Sequence, residues 1–232
     1  MKQPTLLVPI LFWAGSLFAQ LPPTCTINNP PLAKQCNQAC ILCNLDGYSA
    51  ATTQTVQGQQ IPGYCTQIVH SMGYIGFIAG STDLSIQVDI GTCTIGNSIE
   101  MGIYQTDDCQ TFNLVGDCNT AMFTGNNYIL SNTEPLVPGC AYFLVTDNNG
   151  PAACAFTVTV INGSGTAPAV GAPAAPAGPT NLCPGATVEY SIPPLFGACQ
   201  YRWTAPAGAL INGSPSPKIL NHSEGTTVTV TW

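Results

Sequence analysis

Charged side chains are scarce in this sequence. Of its 232 residues, four are Lys or Arg and eleven are Asp or Glu, so 6% of the chain is charged and the formal net charge is −7. About a quarter of the residues in a soluble domain are usually charged. With so few cations there is no basic patch to neutralise phosphate groups, which argues against nucleic acid and anionic membrane surfaces as partners.

Long apolar runs are missing beyond the N-terminus. No later stretch approaches the roughly 18 consecutive apolar residues of a membrane-spanning helix. The N-terminus itself has the features of an export signal: Lys2, a short apolar core over residues 6–13, and small residues before Gln20. We therefore predict a signal peptide at residues 1–19 and a mature protein that is secreted or displayed at the cell surface.

The chain contains twelve cysteines. In an exported protein, cysteines are expected to form disulfides, although their spacing does not reveal the pairing. The numbers of cysteines before and after a Pro-rich segment at residues 163–179 are both even. We therefore expect each side to close its disulfides on its own, with no reactive free thiol between Cys25 and Cys154.

Alternating apolar and polar residues indicate β-strands along most of the chain. Residues 84–90 and 155–161 show the period of two that is typical of strands with one buried face. Further candidates lie at residues 74–79, 99–104, 128–130, 142–146, 187–192, 200–204, 218–220 and 226–232. Helical periodicity is confined to one short turn within residues 31–43. The predicted fold class is all-β: a disulfide-bonded antiparallel β-sandwich or jelly roll, followed by an incomplete immunoglobulin-like sandwich.

The Pro-rich segment has four prolines and no charged or aromatic residue. Such a composition favours an extended spacer. The chain is thus predicted to consist of a signal peptide (1–19), a disulfide-rich β-sandwich domain (20–162), a linker (163–179) and a partial domain (180–232).

The last domain is expected to be truncated. An immunoglobulin-type sandwich takes about 100 residues, and the sequence stops at Trp232 within an alternating strand. In an unfinished sandwich the inner side chains would present apolar surface to solvent. The residues expected to do so are Tyr201, Trp203, Val228, Val230 and Trp232.

Two metal hypotheses arise from cysteine spacing. Cys36, Cys40 and Cys43 have the C-x3-C-x2-C spacing that can hold an iron–sulfur cluster. A zinc site is conceivable from Cys40, Cys43, Cys65 and His70. Export and the number of further cysteines favour disulfides over both, so we predict no metal-binding residues and no cofactor.

Neither histidine is placed for catalysis. His70 precedes Ser71 and His222 precedes Ser223, and neighbours in a strand point to opposite faces, so neither pair forms a nucleophile–base relay. The G-x-S-x-G and H-E-x-x-H motifs are absent. The sequence therefore predicts that the protein is not an enzyme, with no catalytic and no cofactor-binding residues.

Two ligand alternatives stay open. Acidic residues next to cysteines or in an oxygen-rich run are candidates for structural calcium, although turns use the same residue types. These acidic residues are Asp107, Asp108, Asp117 and Asp147. Tyr104 and Tyr128 are candidates for a sugar-stacking platform, against the commoner role of strand aromatics in a core.

Several short motifs between residues 36 and 162 occur in a familiar order. They lie at residues 40–48, 63–65, 74–82, 102–109 and 136–142. Together they resemble a secreted β-sandwich module found at the N-terminus of large surface proteins from gliding, Bacteroidetes-type bacteria. The layout is similar to bacterial pre-peptidase C-terminal domains, which accompany enzymes without being catalytic. One departure is His70-Ser-Met72, where such modules often carry an acidic-Asn pair.

Motifs after the linker resemble those of a PKD-like domain, an immunoglobulin-like sandwich used in tandem as a surface spacer. They lie at residues 178–185, 201–208 and 227–232. Cys199 stands where these domains usually have an ordinary residue. The two resemblances imply an extracellular, modular, non-catalytic protein, commonly one with a C-terminal sorting domain for outer-membrane secretion.

The predicted function is that of a non-catalytic extracellular or cell-surface module, a structural or adhesive spacer within a larger secreted multidomain protein. Its expected partners are other domains of the same polypeptide and surface glycans. The alternative is a carbohydrate-binding module that targets a downstream enzyme to polysaccharide.

Overall fold

The computed structural model describes residues 22–54, 58–66 and 68–232. The predicted signal peptide lies outside these residues. Within them the protein is all-β, as the alternating patterns predicted, and the one helical element is a 3-10 turn at Cys36–Gln38. No helix in this described part is long and apolar enough to cross a membrane.

The strands of the described residues are β1 (Ile41–Leu42), β2 (Ser49–Ala51), β3 (Gly73–Ile78), β4 (Leu84–Ile95), β5 (Ser98–Gln105), β6 (Asn113–Phe123), β7 (Asn127–Ser131), β8 (Ala141–Asn148), β9 (Ala153–Gly163), β10 (Thr187–Ser191), β11 (Gln200–Trp203), β12 (Leu210–Ile211), β13 (Ser214–Pro215), β14 (Lys218–Asn221) and β15 (Thr227–Thr231).

Strands β1–β9 form the first unit, a sandwich of two sheets. The first sheet has the order β1-β3-β8-β5-β6 and the second has the order β2-β9-β4-β7. The strand pairs are antiparallel except for β1 and β3. Alternating residues such as Ile86, Val88 and Phe156 from the second sheet pack between the sheets against Met101 and Leu144 from the first. Each such buried side chain contributes about 1.5–3 kcal/mol. The predicted disulfide-bonded β-sandwich is confirmed.

The first sheet is buried on its other face as well. There the loops before β3 and after β5 cover a second apolar cluster that includes Tyr64, Tyr74, Tyr104 and Phe143. Burial on both faces explains why β8 has no exposed residue along its length, although antiparallel sheets commonly leave one face to solvent. Among the described residues, the second sheet leaves alternate positions of β4 and β9 open to solvent on its outer face.

Strands β10–β15 form the second unit. A four-stranded sheet, β10-β15-β12-β13, packs against the two-stranded sheet β11-β14. Ile211 and Val228 from the larger sheet contact Leu220 from the smaller one. The expected exposure is wrong for Tyr201, Val228 and Val230, which are buried. The two valines pack in the apolar cluster between the sheets. Trp203 is half-buried, and Trp232 is 38% exposed.

Candidate functional site

The cysteines form five disulfides. The pairs are Cys25–Cys40, Cys36–Cys109, Cys65–Cys118, Cys93–Cys154 and Cys140–Cys199. Cys43 and Cys183 are unpaired and exposed. The expectation of no free thiol in the first part of the chain is therefore wrong at Cys43.

This pairing separates the cysteines of both metal hypotheses. Cys36 and Cys40 bond to different partners, and Cys65 bonds to Cys118. A disulfide sulfur is no longer available as a thiolate ligand. Among the described residues, no group of three or more His, Cys, Asp or Glu side chains is arranged to hold a metal ion.

The Cys140–Cys199 disulfide joins the two units. Cys140 directly precedes β8 and Cys199 directly precedes β11, and their Cα atoms lie 4.8 Å apart. The expectation that disulfides close separately on each side of the linker is wrong for this pair. The reason is spatial: the loop before β8 and the loop before β11 meet at one point.

Two glycines allow this meeting. Gly139 and Gly197 both have positive φ angles, 90° and 81°, which side chains rarely adopt. A Cβ atom on Gly139 would lie 1.9 Å from the carbonyl oxygen of Gly197, and one on Gly197 would lie 3.0 Å from Cγ of Pro168. The backbones of the two units therefore touch directly beside the disulfide.

The linker is anchored on both sides of this joint. The Ala167 N–H donates to the carbonyl of Cys43 at 3.0 Å, and Ala177 and Ser191 exchange two backbone hydrogen bonds of 2.8 and 3.0 Å. Residues 169–176 between the anchors are exposed. They form one wall of a cavity of about 330 Å³ whose other wall includes Tyr201 and Trp203.

His70 and Asp147, both singled out in the sequence, come together in the structure. Asp147 is fully buried, and its carboxylate accepts the N–H groups of His70 at 2.9 Å and Ser71 at 2.5 Å. His70 Nδ1 lies 3.8 Å from Asp147 Oδ2. The Ser71 hydroxyl donates to the carbonyl of Thr53 at 2.7 Å. The carboxylate thus fixes the loop before β3, and the Ser71 hydroxyl bonds to the backbone of Thr53.

Glu100 supports the same loop. It lies directly opposite Asp147 across β5 and β8, is 4% exposed, and accepts a hydrogen bond of 2.8 Å from the Thr66 hydroxyl. Burial raises the pKa of Glu100; the hydrogen bond from Thr66 opposes this rise and the charge of Asp147 adds to it. Lys34 interacts with Asp147 as well. Burial lowers the pKa of Lys34, and the attraction of the Asp147 carboxylate opposes that change.

Among the described residues, the calcium candidates form no group of three or more that could hold a metal ion. Asp108 accepts the backbone N–H groups of Gln110 and Thr111, each at 2.8 Å, and these bonds lower its pKa. Asp117 accepts the N–H of Ser131 at 2.9 Å. The Asp108 and Asp117 carboxylates thus accept hydrogen bonds from turn and strand backbone. The Asp147 carboxylate accepts them from the loop before β3.

The aromatic candidates for a sugar platform are both placed inward. Tyr104 is 1% exposed and stacks on Tyr64 with ring centroids 5.9 Å apart. Burial raises its pKa to about 12. Tyr128 is half-buried, and its hydroxyl accepts the N–H of Phe123 at 2.8 Å. Tyr104 therefore has the core role, and these two rings do not form a common surface.

The open face of the second sheet is a surface with few charges. Its cross-strand rows are Ser49–Thr157–Asp89–Asn127 and Thr159–Gln87–Ile129. The Ser49 and Thr157 hydroxyls lie 3.0 Å apart. Asp89, the one charged residue in these rows, accepts a hydrogen bond from the Gln87 amide at 3.0 Å. Sequence reasoning did not single out this surface, although the polar positions of the alternating pattern in β4 and β9 contain it.

Comparison with known proteins locates one family. Residues 168–231 match the family model of the PKD-like domain. The chain matches no curated protein and no solved structure. The family match starts within the predicted linker and includes all strands from β10 to β15. The second unit is therefore similar to PKD-like domains, as its sequence motifs predicted.

Proposed function

We propose that this chain is a non-catalytic extracellular spacer, which holds other modules of a larger surface protein at a fixed distance. The observation that carries the proposal is the joint itself: two all-β units are covalently connected by Cys140–Cys199 and touch through Gly139 and Gly197. The similarity of the second unit to PKD-like domains supports it, because immunoglobulin-like modules of this kind are typically non-catalytic.

An extracellular location is part of the proposal. Ten of the twelve cysteines are paired, and structural disulfides persist mainly in oxidising compartments. The export signal predicted at residues 1–19 agrees with this location. A Bacteroidetes-type origin and a pre-peptidase-like first unit also remain proposals, supported by the motif order between residues 36 and 162.

The proposal is tested by surface labelling of intact cells that express the native gene. An epitope tag replaces residues 171–175 in the exposed part of the linker, and antibody binding is measured before and after lysis. We expect binding to intact cells or recovery of the protein from the medium. Binding that appears only after lysis would contradict an extracellular location.

A second candidate function, binding of neutral polysaccharide, is favoured by the open face of the second sheet. Its hydroxyl and amide groups suit hydroxyl-rich ligands, and its near lack of charge gives no attraction to ionic ones. In a pull-down with cellulose or chitin, Gln87→Ala/Thr159→Ala should weaken retention about tenfold, since two lost hydrogen bonds amount to about 1–3 kcal/mol. The matched control is Gln110→Ala/Thr120→Ala, at exposed positions outside this face. Equal retention of both variants would exclude the face.

A further inference from the structure

We infer that the Cys140–Cys199 disulfide is a tension clamp: it carries a pulling force from the first unit into the second and keeps the linker out of the loaded path. The inference rests on the proposed spacer function, in which this chain connects modules that can be pulled apart. It assigns the disulfide a mechanical role beyond connecting two units.

The covalent route through the protein passes through this disulfide. Once the noncovalent contacts yield, a force applied at the two ends of the chain is borne by the shortest covalent connection. That connection reaches Cys140 at the start of β8 and passes directly to Cys199 at the start of β11. The two cysteines are 59 residues apart in sequence, so β8, β9, the linker and β10 form a closed loop beside the route.

The bypassed strands are central to the first unit. β8 pairs with both β3 and β5 in the first sheet, and β9 pairs with both β2 and β4 in the second. Without the clamp, the force would enter the first unit through the linker at the C-terminal end of β9 and would peel that strand from its sheet. With the clamp, the force enters at Cys140, and β9 keeps its neighbours.

The surroundings of the disulfide agree with this role. The contact of Gly139 with Gly197 leaves no room for a side chain, so the joint is closed at the backbone level. Residues 169–176 are exposed and span the joint between two anchors. This segment contains few residues that could pack in a core. Because it carries no load in the presence of the disulfide, its composition does not weaken the connection between the two units.

The clamp shortens the covalent route through the protein. If Cys140–Cys199 is removed, the shortest route from Cys109 to Cys199 runs through the Cys93–Cys154 disulfide instead. This route is longer by about 30 residues, which is about 100 Å at full extension. Removal of Cys93–Cys154 instead leaves the direct route from Cys109 to Cys140 and changes the length very little, so it is the matched control.

The test is single-molecule stretching of the oxidised chain held at its two ends. Complete unfolding of Cys140→Ser/Cys199→Ser should release about 100 Å more than the wild type, and Cys93→Ser/Cys154→Ser should release the wild-type length. Equal lengths for the wild type and the first variant would overturn the inference.

A second measurement does not depend on the folding of a variant. A protease site replaces residues 171–175, the linker is cut, and the cut protein is stretched. The tether should hold until a thiol reductant, dithiothreitol, is added; separation of the two pieces in the absence of reductant would overturn the inference. Neither result depends on where the protein is displayed, so failure of the clamp and failure of the spacer proposal in the surface-labelling test are distinguishable.

Discussion

Glu100 and Asp147 lie directly opposite each other on β5 and β8, and both residues are buried. Adjacent acids on a sheet repel each other when both are charged. Here each one holds part of the loop before β3: Glu100 binds the Thr66 hydroxyl, and Asp147 binds the amides of His70 and Ser71. The pair serves to fix a loop.

The raised pKa of Glu100 gives a pH prediction. The folded protein binds this proton more tightly than the unfolded chain does, so the stabilisation present when Glu100 is protonated is lost as the pH rises through the raised pKa. We expect Glu100→Gln, which keeps an acceptor for Thr66, to be more stable than the wild type at pH 8 and nearly equal to it at pH 4. Urea midpoints at both pH values measure this. A variant less stable than the wild type at pH 8 would contradict it.

Asp108 is the control, because its pKa is shifted in the direction opposite to that of Glu100. Hydrogen bonds lower its pKa, so its stabilisation is present above the pKa of the unfolded chain and disappears as the pH falls through the lowered value. Asp108→Asn should therefore be less stable than the wild type at pH 8. Because Asp108 is exposed, solvent screening keeps the effect small.

A second prediction concerns the glycine contact at the joint. Gly139→Ala combines a positive φ with a Cβ 1.9 Å from the Gly197 carbonyl oxygen, and should lower the free energy of unfolding by about 2 kcal/mol or more. Gly125→Ala is the matched control, since Gly125 has a φ of 77° but no atom within 4 Å of the added Cβ. If Gly139→Ala and Gly125→Ala lower the free energy of unfolding equally, the close contact between Gly139 and Gly197 contributes nothing to stability.

The strands with one buried face were predictable because each carries its own pattern. Residues 84–90 and 155–161 alternate, and they lie within β4 and β9. The long strand β6 was missed. Its sequence contains Gly116, Asp117 and Asn119, and its pairing with β5 has two register shifts, so its position is set by its neighbour and not by a period of two.

The joint between the units could not be predicted from the sequence. Cys140 and Cys199 belong to different units, and an even number of cysteines on each side pointed to separate closure. The contact of Gly139 with Gly197 has no pattern in the sequence, because two glycines in loops can serve many turns. The contact of His70 with Asp147 could not be predicted either, because the two residues are 77 positions apart in the sequence. The division into domains at residues 163–179 stays a prediction.

A third prediction follows from the unpaired cysteines. Alkylation of the unreduced protein with iodoacetamide should label two thiols, Cys43 and Cys183, because both are exposed and unpaired. Mass spectrometry of the digested protein identifies the labelled positions, and Cys43→Ser should remove one label while leaving the other. Labelling of any of the ten paired cysteines would show that the assigned pairing is wrong.

The most direct test of the account is disulfide mapping of the whole oxidised protein. Digestion without reduction, after the free thiols are blocked, should yield one cross-linked pair of peptides that contains Cys140 and Cys199, and Cys183 should carry the blocking group. This result would establish that the two units are covalently joined. A peptide pair that links Cys183 to Cys199 would instead mean that each side closes its own disulfides, and both the spacer joint and the tension clamp would be excluded.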